Sequence, residues 1–294
     1  MPKRAVLLVG TSLMLFTLSA CSSTAGPSVS DEMRQVTAVA STPQAAISNK
    51  IRQLADQCVR DRGFPVPETM TSPASRTENM LGLVDFFASP EEAEAIGYST
   101  TVDRNATSEA DSLRDGLSPA DQSAYDAARL GDQTDTASVK LANGATLSKG
   151  KTGCEADAAA SVYGSFANAL EVEAIQNDVL ILASTSPSLG PALESKADAM
   201  TSCMRSAGYA VTGVTASAVA EKAFGAYRAP GVPPGAEEAK LASQDAACQD
   251  EVDLNDATLD AFFSDQYTWI TDNADRLRVA AGIVTRAAQA ASQP

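Results

Sequence analysis

TPQAAISNKIRQLADQCVRDRG, residues 42–63, places Ile47, Ile51, Leu54, Cys58 and Val59 at helical spacing. Thr42 reads as an N-cap, Pro43 suits the first turn, and Gly63 suits a left-handed C-cap. The stretch predicts an amphipathic helix with Cys58 on its buried face, one turn before the end. Arg60 and Arg62 then sit at the negative end of the helix dipole. Residues 191–208, PALESKADAMTSCMRSAG, repeat the layout with Leu193, Met200, Cys203 and Met204. Both stretches run into one motif, C-[VM]-R-x-x-G-[FY]-x-V, at Cys58–Val66 and Cys203–Val211. The aromatic after each glycine, Phe64 or Tyr209, is expected to pack back on its helix end. Arg60 and Arg205 are candidate ligand contacts, although capping and ion pairing are the ordinary work of cations at helix ends.

The repeat bears on the cysteines. The chain has five: Cys21, Cys58, Cys154, Cys203 and Cys248. Setting Cys21 aside leaves an even number, which in an exported protein points to disulfides with three possible pairings. Glu94-Ala95-Ile96-Gly97-Tyr98 resembles Lys222-Ala223-Phe224-Gly225-Ala226-Tyr227, and each copy then reaches a second cysteine. The repeat therefore favours Cys58–Cys154 and Cys203–Cys248. It predicts two helical modules, 43–185 and 186–294, the first with an insertion near 100–152.

Most of the remaining chain reads as helix. Ser89-Pro90-Glu91-Glu92 and Ser118-Pro119-Ala120-Asp121 are helix starts, and Gly131 is a stop. Residues 155–183 form a long alanine-rich stretch broken at Ser186-Pro187. Residues 236–281 contain neither Gly nor Pro and predict one or two long helices, with a break near Leu254-Asn255-Asp256. Strand signals are confined to Phe64–Val66 and Tyr209–Thr212. The expected fold class is mainly α: disulfide-stapled helical modules with long C-terminal helices and at most a small β element.

At the N-terminus, Lys3 and Arg4 precede an uncharged apolar run over residues 5–20. The run is short for a transmembrane helix and fits a signal peptide, residues 1–20. Leu18-Ser19-Ala20-Cys21 resembles the lipobox of bacterial lipoproteins. That resemblance implies cleavage before Cys21 and acylation of its thiol, a stable anchor to membrane lipid. Residues 21–42, mostly small, are expected to form a flexible tether. Removing residues 1–20 leaves 20 Lys+Arg against 37 Asp+Glu, a formal charge of −17. That balance argues against nucleic acid as a partner and against a basic membrane patch.

The 294-residue chain contains no histidine, which excludes His-dependent triads, Cys-His pairs and His-ligated zinc. Gly144–Gly153, GATLSKGKTG, approaches a P-loop, but Ala145 stands where that motif needs its first glycine. Ser148-x-x-Lys151 and Lys151-Thr152-Gly153 echo Ser-Lys acyl-transfer enzymes, yet one lysine cannot serve both motifs. A polar loop leading into Cys154 is the simpler reading. Asp103-Arg104-Asn105-Ala106-Thr107 and Asp253-Leu254-Asn255-Asp256 space oxygens as calcium loops do, without the glycine and glutamate of an EF-hand. Glu91-Glu92 and Glu237-Glu238 fall at helix starts, where the dipole accounts for them. No cofactor, metal ligand set or catalytic residue is assigned.

The lipobox, the C-[VM]-R-x-x-G-[FY] repeat, Leu117–Gly131 (LSPADQSAYDAARLG) and Gly153-Cys154 together resemble uncharacterised lipoproteins of high-GC Gram-positive bacteria. The resemblance implies a lipid-anchored protein on the outer face of the cell membrane, with no catalytic residues to carry over. The expected role is a binding or structural module of the envelope, with an envelope protein or the cell wall as partner. A carboxylate- or Ser-Lys-dependent envelope hydrolase is the alternative, and a transporter-linked small-molecule carrier is a third reading.

Overall fold

The computed structural model describes residues 28–66, 79–83, 85–102, 113–225, 228 and 232–293. Twelve α-helices appear among them: α1 (Asp31–Ser41), α2 (Ala45–Asp61), α3 (Pro90–Ile96), α4 (Pro119–Leu130), α5 (Cys154–Tyr163), α6 (Phe166–Ser184), α7 (Leu189–Ser206), α8 (Ser217–Phe224), α9 (Ala236–Glu251), α10 (Leu254–Asp265), α11 (Tyr267–Asp272) and α12 (Ala274–Ala291). One antiparallel hairpin, β1 (Thr136–Lys140) with β2 (Thr146–Gly150), lies between α4 and α5. The chain is mainly α with a single small β element, as expected.

Helix α1 replaces the second half of the expected tether. Ser30 caps it by accepting from the Met33 N–H, and Asp31 and Glu32 face the positive end of the dipole. Met33, Thr37, Ala40 and Ser41 are buried against α12 and α6. The two buried hydroxyls stay satisfied by donating back along the helix, Thr37 to the Met33 carbonyl and Ser41 to the Thr37 carbonyl, each at 2.7 Å. The small residues that read as linker are what let α1 lie close on its neighbours. Thr42 accordingly ends α1 instead of capping α2, its N–H reaching the Ala38 carbonyl at 2.9 Å.

The repeated motif closes two helices in the same way. At the end of α2, the Phe64 N–H reaches back to the Val59 carbonyl and the Gly63 N–H to the Arg60 carbonyl. At the end of α7, Tyr209 reaches Met204 and Gly208 reaches Arg205. These are paired Schellman caps, with Gly63 at φ +90° and Gly208 at φ +91°. A Cβ at either glycine would meet nothing within 4 Å. Gly63→Ala and Gly208→Ala are therefore each expected to cost about 1 kcal/mol, from the left-handed backbone alone. Urea denaturation of the two variants checks that the costs are similar.

The bridges are Cys58–Cys154 and Cys203–Cys248, with Cα–Cα distances of 5.6 and 5.8 Å. The copies differ at the second cysteine. Cys154 opens α5, whereas Cys248 lies in the last turn of α9. The shorter match downstream is realised too: α3 ends at Gly97 and α8 at Gly225, with φ of +63° and +64°.

The expected boundary at residue 185 is not where the packing divides. One core joins α1, α2, α5 and α6 to α10, α11 and α12, so the last helix closes the first half of the chain. A second core joins Phe86, Ala93 and Tyr98 to α7, α8 and α9, so α3 packs within the second half. A third, small cluster holds Val59, Tyr125 and Cys154, with Phe64 edge-on to Tyr125 at 5.8 Å.

Three local expectations are corrected. Residues 155–183 are two helices, because Gly164 turns left-handed (φ +81°) and Ser165 caps α6. The C-terminal run breaks at Asp253 (φ +52°), close to the expected place, and again at Gln266 and Asn273. The Asn273 side chain donates to the Trp269 carbonyl at 2.8 Å, offering that carbonyl a partner from outside the helical ladder. Phe64–Val66 and Tyr209–Thr212 form no strand, and the strands fall instead in the insertion. Ala142, Asn143 and Gly144 make the turn, the Gly144 N–H reaching the Leu141 carbonyl with Gly144 at φ +83°, and Val139 pairs with Leu147.

Candidate functional site

Cys21, the residue on which the anchor depends, lies outside the described residues, as does Asp103–Thr107. Ser148 and Lys151 are described and are not brought together as a dyad. Ser148 is exposed on β2 opposite Ser138, and Lys151 pairs with Asp135. Residues 144–153 form the second strand of an antiparallel hairpin and its exit, not the strand-to-helix turn a P-loop requires. Asp253 and Asp256 are exposed around a hollow of about 490 Å³ at the α9–α10 junction. Among the described residues no three carboxylates or thiols converge as metal ligands. Arg60 is exposed and bonds Gln57, while Arg62 donates to the Ala128 carbonyl at 3.0 Å, so these cations tie helix ends.

The sequence conceals a buried polar network in the second core. Glu238, expected at a helix start where the dipole accounts for its charge, is buried. Its Oε1 accepts from the Tyr98 N–H at 3.0 Å, the Thr101 hydroxyl at 2.5 Å and Arg228 Nη2 at 3.2 Å. Asp245, one face along α9, accepts from the Tyr98 hydroxyl at 2.9 Å, the Ala216 N–H at 2.7 Å and Gln249 at 3.1 Å. Asp85, at φ +61°, accepts from the Ser99 N–H at 3.0 Å and the Ser217 hydroxyl at 2.6 Å. The result clamps residues 85–101 onto α8 and α9. Asp85 lies about 150 residues from the two acids of α9, and the one hint was Gly97-Tyr98 within the shorter repeat.

Burial pushes the Asp245 carboxyl up to about 6, against the pull of its hydrogen bonds from Ala216, Tyr98 and Gln249. The Tyr98 hydroxyl is raised by burial and by Asp245 beside it. An acid whose folded value lies above its unfolded value contributes stability at low pH. That contribution is lost as pH rises through the folded value. Relative to wild type, Asp245→Asn is therefore expected to flatten the stability profile between about pH 4 and 7, by on the order of 2–3 kcal/mol. Urea denaturation of both proteins at the two ends of that window checks this.

The network is closed, whereas the first half of the molecule carries an open cleft of about 680 Å³. Its floor is Ile51 and Ala55 of α2, Ala156, Ala159 and Tyr163 of α5, and Phe166, Ala169 and Leu170 of α6. The alanines make the room, and the break at Gly164-Ser165 turns Tyr163 and Phe166 toward it, both half-buried. The rim carries ion pairs: Arg129 with Glu155 at 2.8 Å, and Lys149 with Glu173 at 2.8 Å. Buried Asp56 holds Arg129 from beneath at 3.2 Å. Tyr163 is raised by burial and by the charge of Glu173. Lys149 stays on the rim because the hairpin is pinned to α6. The Ala142 N–H donates to fully buried Asp178 at 2.6 Å, and Asp178 pairs with Arg276 at 2.8 Å. The Cys58–Cys154 bridge joins the helices that form two of its walls.

Comparison with protein-family models, with curated proteins and with solved structures finds no match.

Proposed function

We propose that this chain is a lipid-anchored extracytoplasmic protein that acts as a binding or structural module of the cell envelope. The observation that carries the reading is Leu18-Ser19-Ala20-Cys21, placed directly after a charged start and an apolar run. Two bridges among the remaining four cysteines fit an oxidising compartment. Residues 22–30 separate Cys21 from α1, and extended they span at most about 30 Å, which would hold the folded body close to the bilayer. The cleft on α2, α5 and α6 is the binding surface this reading uses. A Ser-Lys hydrolase draws little support, since Lys149 and Lys151 are both exposed and paired with acids.

Expression of the full chain and its Cys21→Ser variant in a Gram-positive host, with labelled palmitate, tests the anchor. Wild type is expected in the membrane fraction and labelled, and the variant unlabelled. An unlabelled wild type in the soluble fraction would overturn the anchor.

A further inference from the structure

We propose that the cleft on α2, α5 and α6 takes an uncharged sugar unit of a glycan. The inference rests on the reading of the chain as a binding module and is independent of its lipid anchor. Three observations select this ligand class.

The first is the floor. Tyr163 and Phe166 are half-buried rings facing open space over an alanine and leucine surface. A pyranose offers a matching apolar C–H face, and an aromatic ring is the usual partner for such a face. The second is the rim. Two of its three cations are joined to its acids, as Arg129–Glu155 and Lys149–Glu173, and Arg52 stands outside these pairs. An anion would find Arg52 alone outside these pairs and would compete with Glu155 and Glu173 for the other two cations, and an organic cation would meet the reverse competition. A ligand with hydroxyls can donate to Glu155 and Glu173 and accept from Arg129 and Lys149 without breaking either pair. Arg52 and Gln176 add a guanidinium and an amide, neither with a side-chain partner among the described residues. The third is size: about 680 Å³ lies within the range of small-ligand clefts. An acyl chain would fill the floor but offer Arg52 and Gln176 no hydrogen-bond partner, whereas a hydroxylated ligand does.

The test uses the oxidised mature protein, residues 21–294, on an array of uncharged oligosaccharides, with acidic oligosaccharides and myristate as comparison arms. Retention of at least one neutral glycan is expected, unchanged across a tenfold range of salt, because no net charge is neutralised. Tyr163→Ala is expected to weaken that binding roughly three- to tenfold, the range of one aromatic contact. Tyr163→Phe should retain it, and Ala159→Trp, which fills the floor, should abolish it. The proposal is overturned if no neutral glycan is retained, or if only the acidic or acyl ligands bind. Binding that survives both Tyr163→Ala and Ala159→Trp also overturns it. Cleavage of the retained glycan would replace the binding-module reading while leaving the ligand class in place.

Discussion

Replacing Cys58 and Cys154 together by alanine is expected to destabilise the protein by about 3–5 kcal/mol. The bridge closes a loop of 96 residues, so its loss releases a large part of the unfolded chain. The folded side also depends on it. The smallest hydrophobic cluster is Val59, Tyr125 and the fully buried Cys154, and the bridge holds α2 against α5 there. Cys203–Cys248 closes 45 residues and ties α7 to α9 beneath a larger core, so its loss is expected to cost slightly less. Urea denaturation measures both, and the Cys58–Cys154 variant should also show a steeper denaturant dependence, because its unfolded state expands. An unchanged midpoint in that variant would contradict the account of the first half of the molecule.

Gly153→Ala and Gly131→Ala are each expected to cost about 3 kcal/mol or more. The two glycines lie backbone to backbone where α4 ends and α5 begins. A Cβ on Gly153 would stand 2.4 Å from the Gly131 nitrogen and 2.6 Å from the Leu130 carbonyl carbon. A Cβ on Gly131 would stand 2.3 Å from the Thr152 carbonyl carbon. Both residues are also at positive φ, +96° and +71°, so strain adds to the clash. No flexible side chain is available to yield. Gly63→Ala, also at positive φ but with no neighbour within 4 Å, is the comparison. Thermal unfolding of the three variants should place Gly63→Ala well above the other two. The close approach also sets the cleft rim, because it brings Arg129 within reach of Glu155 and Asp56.

What could be read from the sequence follows from how local each signal is. The C-[VM]-R-x-x-G caps, the Ser-Pro helix starts at Ser89 and Ser118, and the bridge pairing were legible because each rests on neighbouring residues or on the repeat. Helix α1 was missed because its small residues carry a weak apolar signal, and only α12 and α6 make them a core face. The second strand of the β-hairpin was hidden in GATLSKGKTG, where Lys and Gly weaken the strand pattern. The glycines of that segment serve the turn and the backbone contact with α4, not a phosphate. The Asp85–Tyr98–Asp245–Glu238 network was not legible, because it joins each acid to partners more than 130 residues away through a packing that crosses the two repeats. The cleft was hidden for the same reason: its walls come from α2, α5 and α6, and its emptiness comes from alanines that read only as helix formers.

The mature protein is expected to carry lipid on one cysteine and bridges between the other four. Intact mass of the protein purified from membranes, recorded before and after thiol alkylation without and with reduction, tests it in one measurement. A chain beginning at residue 21 with added acyl mass is expected. No alkylation should occur before reduction, and four alkylated thiols should appear after it. A mass that retains residues 1–20 without acyl groups, or alkylation before reduction, would contradict it.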